Sequence, residues 1–318
     1  MKYISIPVHE RIEVIVNQLH NFKRFLPRAV VVLHVSRGAT FKITDLYQAI
    51  KENKIDNVLI NPNSVQTSWG GIILAHFENV EFIKSIGNAS HIIFHSSNDM
   101  LVRDGLDDYL STRDNIFNHR VIQPNSYWWV GNEAFADATL SKVLSPYGSG
   151  LKVASQIEGS MYQADLLYDI VKHYKGSDVF ASQRHYPREE VFLSSLACAF
   201  DVKSDGLPYI FSEVHRFDRK LWHKLSQHPE RYNEHQPAGR RRKNKLNKKI
   251  FNSGSYKISM DDVTSIHTGD TLKYQEFEML NDGHEYWKIF DHQYLFGVKR
   301  VERLLSDPIR KIITDMQG

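Results

Sequence analysis

Two adjacent carboxylates, Glu189 and Glu190, follow Pro187 at the head of an apolar run that ends at Phe200. Proline suits the first position of a helix, and acids in a first turn complement its unpaired N–H groups. One reading of the pair is thus a stabilised helix end. The other is a general base held against an apolar wall, its pKa raised by burial and lowered by the helix terminus. Positions 189, 192, 193, 196 and 200 share a helical face, which points Glu189 toward the apolar side and Glu190 toward Ser194 and Ala197. A second pair, Lys299 and Arg300, comes after the segment from Tyr294 to Val298. Lysine as a point charge and arginine as a fork are the side chains that meet phosphate oxygens, the alternative being a solvated helix start. A third feature is basic: Arg240, Arg241, Arg242, Lys243, Lys245, Lys248 and Lys249 crowd into ten residues. Such a run reads as a solvated loop, as an attractor of anionic lipid head groups, or as a lid closing over a phosphate.

Other chemistries lack their residues. The turn after the first apolar run holds His9 and Glu10, with no G-x-G-x-x-G and no P-loop, which disfavours a dinucleotide enzyme or an NTPase. Sixteen histidines are scattered without H-E-x-x-H, C-x-x-C or a tight His/Asp cluster, so they read as surface or hydrogen-bonded core residues. Asp-x-Asp, which can hold a divalent cation against a nucleotide diphosphate, does not occur, and neither does G-x-S-x-G. The net charge of +3 and a basic run without interleaved aromatics argue against nucleic acid as a partner.

The elements that must position these groups show two periodicities. Buried parallel strands are expected at Tyr3–Pro7, Ala29–Val35, Asn57–Ile60 and His91–His95. Between them Ile12, Ile15, Leu19 and Phe22, then Leu46 and Ile50, then Ile72, Ala75, Val80 and Ile83 recur at helical spacing. Strand–helix–strand alternation predicts a doubly wound α/β sheet with ligands at the carboxyl ends of its strands. Residues 113–155 read as loop-rich, and Trp128 and Trp129 there serve either ligand contact or packing. Helices are expected over 160–174, 187–200 and 301–314, and the polar stretch 227–256 as a mobile loop. At 318 residues, 42% hydrophobic and 24% charged, the chain has the balance of a soluble enzyme. A single cysteine, Cys198, suits a reducing compartment, and neither a signal peptide nor a run of about 18 apolar residues is visible, which predicts a cytoplasmic protein, at most peripheral to a membrane.

Five segments in order resemble one family. Thr67-Ser68-Trp69-Gly70-Gly71 looks like the "WGG" helix start of the Core-2/I-branching β-1,6-N-acetylglucosaminyltransferases (glycosyltransferase family 14) and their bacterial relatives. His91 to Met100 resembles that family's strand ending in a Ser/Gly-x-Asp turn, and Glu158-Gly159-Ser160-Met161-Tyr162 its "GSQW" segment. Tyr186-Pro187-Arg188-Glu189-Glu190 is similar to its "SPDE" motif, and Tyr294 to Arg300 to its "LFARKF". The departures are a Glu-Glu pair in place of Asp-Glu, a missing tryptophan after Ser160, and Ser36 two residues past His34 where the family has an aspartate.

The resemblance implies a GT-A-like fold, with a Rossmann-like, mostly parallel central sheet flanked by helices. It implies an inverting, metal-independent transfer from a UDP-sugar to a hydroxyl of a bacterial surface glycan such as a capsule, lipopolysaccharide or O-antigen, the acceptor being an oligosaccharide or lipid-linked. Glu190 maps onto the base and Lys299 onto the diphosphate ligand. Arg300, His9, Ser36 and Asp99 are expected on the donor side, and Glu189, Glu158, Ser160, Trp69, Trp128 and Trp129 as substrate contacts. One domain, 1–318, is expected: a nucleotide-binding half (1–112), an acceptor and catalytic half (113–226), the basic loop (227–256) that reaches an anionic membrane through 240–249, and a segment (257–318) closing on the diphosphate.

Overall fold

The computed structural model describes residues 1–9, 11–147, 150–175, 177, 179, 186–270 and 278–317, so that Glu10 and His185 lie outside the described residues. Its first part runs β1 (Lys2–Val8), α1 (Ile12–Phe25), β2 (Val30–Val35), α2 (Ile43–Glu52), β3 (Val58–Ile60), α3 (Ile73–Ile86) and β4 (His91–Phe94). The chain continues through β5 (Met100–Leu101), α4 (Leu106–Ser111), β6 (Arg120–Val121), α5 (Trp129–Ala136), α6 (Ala138–Leu144), β7 (Val153–Ala154), β8 (Met161–Gln163), α7 (Ala164–Lys175) and α8 (Glu189–Ala199). The last part holds β9 (Ile210–Phe211), α9 (Glu213–Gln227), α10 (Pro237–Ser253), α11 (Met260–Thr268), β10 (Met279–Asn281), β11 (Tyr286–Lys288), β12 (Gly297–Val298) and α12 (Pro308–Asp315).

The central sheet has the order β3-β2-β1-β4-β8, parallel except for β8, which runs antiparallel to β4. This is the mixed α/β architecture expected from the alternating periodicities. Alternation along the strands divides the apolar residues between two cores, because successive side chains leave opposite faces. Tyr3, Val32, Ile92 and Phe94 join α3, α7 and α8 on one face, while Ile4, Ile6, Leu33 and Ile93 join α1 and α2 on the other. Each fully buried Ile, Leu or Val there contributes about 1.5–3 kcal/mol. A third core lies under the small sheet β5-β12-β9, against α9, α11 and α12.

Ser5 on β1 pairs with polar side chains of α3, as its burial demands. The Ser5 hydroxyl meets His76 Nδ1 at 2.8 Å and accepts from Asn79 Nδ2, which also donates to the Val32 carbonyl, while Asn61 donates to Asn79. The network pins α3 across β1 and β2.

Several expectations change. The stretch 227–256 is mostly the helix α10, with Pro237 in its first turn and Gly254 in the left-handed conformation that closes a helix. Its apolar residues are few because one narrow face packs, through Gly239, Leu246 and Ile250, against α9 and the turn before it. The helix expected over 160–174 begins at Ala164, since Met161–Gln163 pairs with β4. The final helix starts late, at Pro308, where Asp307 accepts from the Arg310 N–H. Residues 113–155 carry α5 and α6, the latter capped by Asp137. Among the described residues no helix is long and apolar enough to cross a membrane.

Candidate active site

A cleft of about 1110 Å³ opens at the carboxyl ends of β1, β2 and β4, bordered there by Pro7, His9, Ser36 and the turn Ser96–Asn98. This is where side chains of a doubly wound sheet converge on a ligand. Its other walls come from α8, α9, α10 and the segment after β12.

The start of α8 brings both acids into the cleft. Tyr186 and Arg188 fix its approach: the Tyr186 hydroxyl donates to Asp137 at 2.9 Å and Arg188 Nε at 2.8 Å, all three being buried. Gly70, at φ +80°, lies against the Tyr186 backbone, 3.3 Å from its carbonyl oxygen to where a Cβ would stand, so the "WGG" turn and the α8 approach are fitted to each other. Glu189 is buried and its Oε2 has no hydrogen-bond partner among the described residues, while Glu190 is half-buried. Burial pushes the Glu189 carboxyl up to about 8, against the pull of its own backbone N–H, with Glu190 and Glu158 adding to the rise. Burial pushes Glu190 up to about 7, and Lys299 restrains it.

The positive wall is built by β12 and the residues just beyond it. Lys299 N–H donates to the Phe211 carbonyl and Val301 N–H to Asn98, which ties the segment to the small sheet and to the β4 turn. Extended backbone would send the neighbours Lys299 and Arg300 to opposite sides. Instead Arg300 has φ +61°, and both residues line the cleft. The Lys299 ammonium is 2.6 Å from a Glu158 oxygen, and the Arg300 guanidinium donates to Glu213 at 2.7 Å. Burial works against the ammonium, but Glu158, with Glu190 and Asp99 behind it, holds its pKa above the ordinary lysine value. Glu158 is aimed by Gly159, at φ +79°, whose missing Cβ leaves room for Ile210 at 2.9 Å.

Trp69 and Trp129 stack at the rim, ring centroids 5.9 Å apart and planes 21° apart, with Trp69 66% and Trp129 47% exposed. Trp128 is half-buried beside them, and the Arg120 guanidinium lies 5.3 Å from its ring. Ser36 lines the cleft and accepts from the Thr67 hydroxyl at 2.7 Å.

Two expected site residues stay outside. Asp99 is fully buried, accepting from Ser96 N–H and hydroxyl and facing His95 Nδ1 at 3.1 Å. With His95 Nε2 2.7 Å from the Tyr209 hydroxyl, it joins the β4 turn to the approach of β9 and reaches Lys299 only through its field. Ser160 is also fully buried, its hydroxyl spent on the Ile157 carbonyl within a turn.

Asp218 is a cleft residue that motif reading missed. It stands four residues from Val214 and from Trp222 on α9, an acid on a stripe that otherwise reads Val214, Phe217, Leu221 and Trp222, and that misplacement was the available signal. Burial, then the Glu190 charge, pushes its carboxyl up to about 7. Burial, with the charges of Lys299 and Arg300 adding to it, drives the His215 ring down to about 3, so that it is uncharged at neutral pH.

Among the described residues, ligand atoms able to converge on a cation occur in Glu278, Asp291 and His292. That group does not line the cleft, and Lys288 already pairs with both carboxylates.

No family model matches the chain, and no curated protein matches it. Solved structures give slight likenesses. TarS of S. aureus has 13% identity and a TM-score of 0.33, over 53% of this chain and 29% of that one. The galactosyltransferase LgtC, solved with donor and acceptor sugar analogues, has 8% identity and a TM-score of 0.36, over 68% of this chain and 77% of that one. The chain thus spans under a third of the length of TarS. Likenesses at this level carry no functional weight, and function has to be read from the cleft.

Proposed function

We propose that the chain is an inverting glycosyltransferase of GT-A-like fold, moving a sugar from a UDP-sugar to a hydroxyl of a glycan. The observation that supports this reading best is one cleft shared by two groups far apart in the chain, Glu189 and Glu190 at one wall and Lys299 and Arg300 at another.

In a single displacement the acceptor oxygen bonds to C1 from the face opposite the departing diphosphate. As that bond forms, Glu190 takes the acceptor's proton, and the C1–oxygen bond breaks with its electron pair leaving on the diphosphate. Such general base help is worth about 10²–10⁴-fold. Fixed cations meet the charge that grows on the leaving group, the part given to Lys299 and Arg300. Two carboxyls with different environments suit two roles. Burial raises both carboxyls toward neutral pH; the family resemblance assigns the ionised role to Glu190, which leaves Glu189 to keep its proton and donate to a sugar oxygen. The stacked Trp69 and Trp129 offer an apolar ring face of the kind that sugar rings cover, and we assign the acceptor to that rim. His9 and Ser36, at the ends of β1 and β2, are placed to meet the nucleoside. Metal independence and a bacterial surface-glycan acceptor belong to this reading through the family resemblance alone.

Calorimetric titration with UDP, with and without EDTA, followed by assay of a UDP-sugar panel for slow hydrolysis, tests it. Binding indifferent to EDTA together with hydrolysis of one donor is the expected result. Failure of every nucleotide to bind would instead leave a non-catalytic glycan- or anion-binding protein.

A further inference from the structure

The basic run is organised by α10 in a way its sequence did not show. At 3.6 residues per turn, Arg240, Arg241, Lys245, Lys248 and Lys249 fall within about half of the circumference. All five are exposed, and Phe251 joins them at the helix's far end with 63% of its surface exposed. No acidic residue occurs between Pro237 and Ser253. Glu234, which precedes the helix, is held by Lys243 and leaves the outward face uncompensated. Lys243 and Asn247, on the adjoining arc of the same helix, border the cleft, and Asn244 does so from the edge of the basic arc between Arg240 and Lys248.

A long helix with a dense cationic face and an exposed aromatic at its edge is built to lie on an anionic interface. Single-stranded nucleic acid is served instead by aromatics interleaved along a basic groove, and this face is convex with one ring at its end. We propose that the outward face of α10 docks the protein on an anionic phospholipid surface. On the sugar-transfer reading, on which this last clause rests, the cleft then opens beside that surface and its acceptor is lipid-linked.

The test is co-sedimentation of the full chain with vesicles of phosphatidylcholine alone or mixed with phosphatidylglycerol, at low and high salt. The protein is expected to bind the mixed vesicles, to leave them as salt rises, and to ignore phosphatidylcholine. Each surface lysine or arginine is worth about fivefold in partitioning, so Arg241→Gln, Lys245→Gln and Lys248→Gln together are expected to weaken binding about 100-fold. The charge-reversed set, Arg241→Glu, Lys245→Glu and Lys248→Glu, is expected to weaken it further, with circular dichroism and UDP affinity unchanged in both. Equal binding to both vesicle types, unaltered binding by the folded glutamine variant, or tighter binding to a single-stranded RNA at the same salt overturns the proposal. Loss of vesicle binding with UDP binding intact removes docking alone, whereas vesicle binding without any nucleotide binding removes the transfer reading and leaves docking in place.

Discussion

The Lys299 ammonium and the Glu158 carboxylate meet at 2.6 Å inside the cleft, so the cation proposed for the leaving group already has an anionic partner. A diphosphate arriving at Lys299 must share it with Glu158 and meets Glu158's charge as well.

That relation gives opposite signs for two substitutions. Lys299→Ala is expected to weaken UDP binding at least about 10-fold, in keeping with a charge-assisted contact. Glu158→Gln is expected to strengthen it a few-fold, because a nearby like charge is removed while Lys299 stays. Calorimetry on both variants decides the matter, and unchanged affinity in Lys299→Ala would take the residue out of the site.

The acids predict an asymmetric pH profile. A base must be ionised, so kcat/KM should rise with pH through about 7, the value to which Glu190 is pushed, and fall away on the acid side. Glu190→Gln should cut kcat at least about 100-fold with UDP affinity kept. Glu189→Gln keeps a hydrogen-bonding group at its position and should retain most activity. The reverse pattern, with Glu189→Gln inactive and Glu190→Gln active, would exchange their roles.

Arg188 tests the scaffold beneath those acids. It is 2% exposed and pairs with Asp137, itself 1% exposed and the cap of α6. Arg188→Met strands a buried carboxylate, which typically costs about 3–5 kcal/mol. Denaturant unfolding should show that loss, and Asp137→Asn, which retains the cap but leaves the buried Arg188 guanidinium without its carboxylate, should show one of similar size.

At the rim, Trp69→Ala and Trp129→Ala are each expected to raise the acceptor KM about 2- to 10-fold, the scale of an aromatic contact. Slow hydrolysis of the donor should not change. A change in hydrolysis alone would move the tryptophans to the donor.

Much of the fold was legible because buried parallel strands write themselves as unbroken apolar runs. β1, β2 and β4 were each visible in that way, and so was the ligand edge they define, whereas β3, expected as a buried strand, is the edge strand with Leu59 exposed. Strands of two or three residues such as β8, β9 and β12 carry no such run and form only because neighbours pair with them. α10 was hidden because a helix packed along one narrow face shows little apolar periodicity; Pro237 and Gly254 were its marks. Acids beside a helix-start proline pointed to the cleft, whereas Asp99 and Ser160 were polar residues whose hydrogen bonds are spent inside turns. No motif could reveal that. The turn that brings Lys299 and Arg300 to one side was equally invisible, since arginine seldom takes positive φ.

That single left-handed residue has a consequence for how the pocket arises. Two neighbouring charges on one side of a chain forbid a slip of register by one position, which would carry both away from their carboxylate partners. The position of the cationic wall is therefore fixed by the pairing of β12 between β5 and β9, and on the proposed reading the donor would meet it preformed.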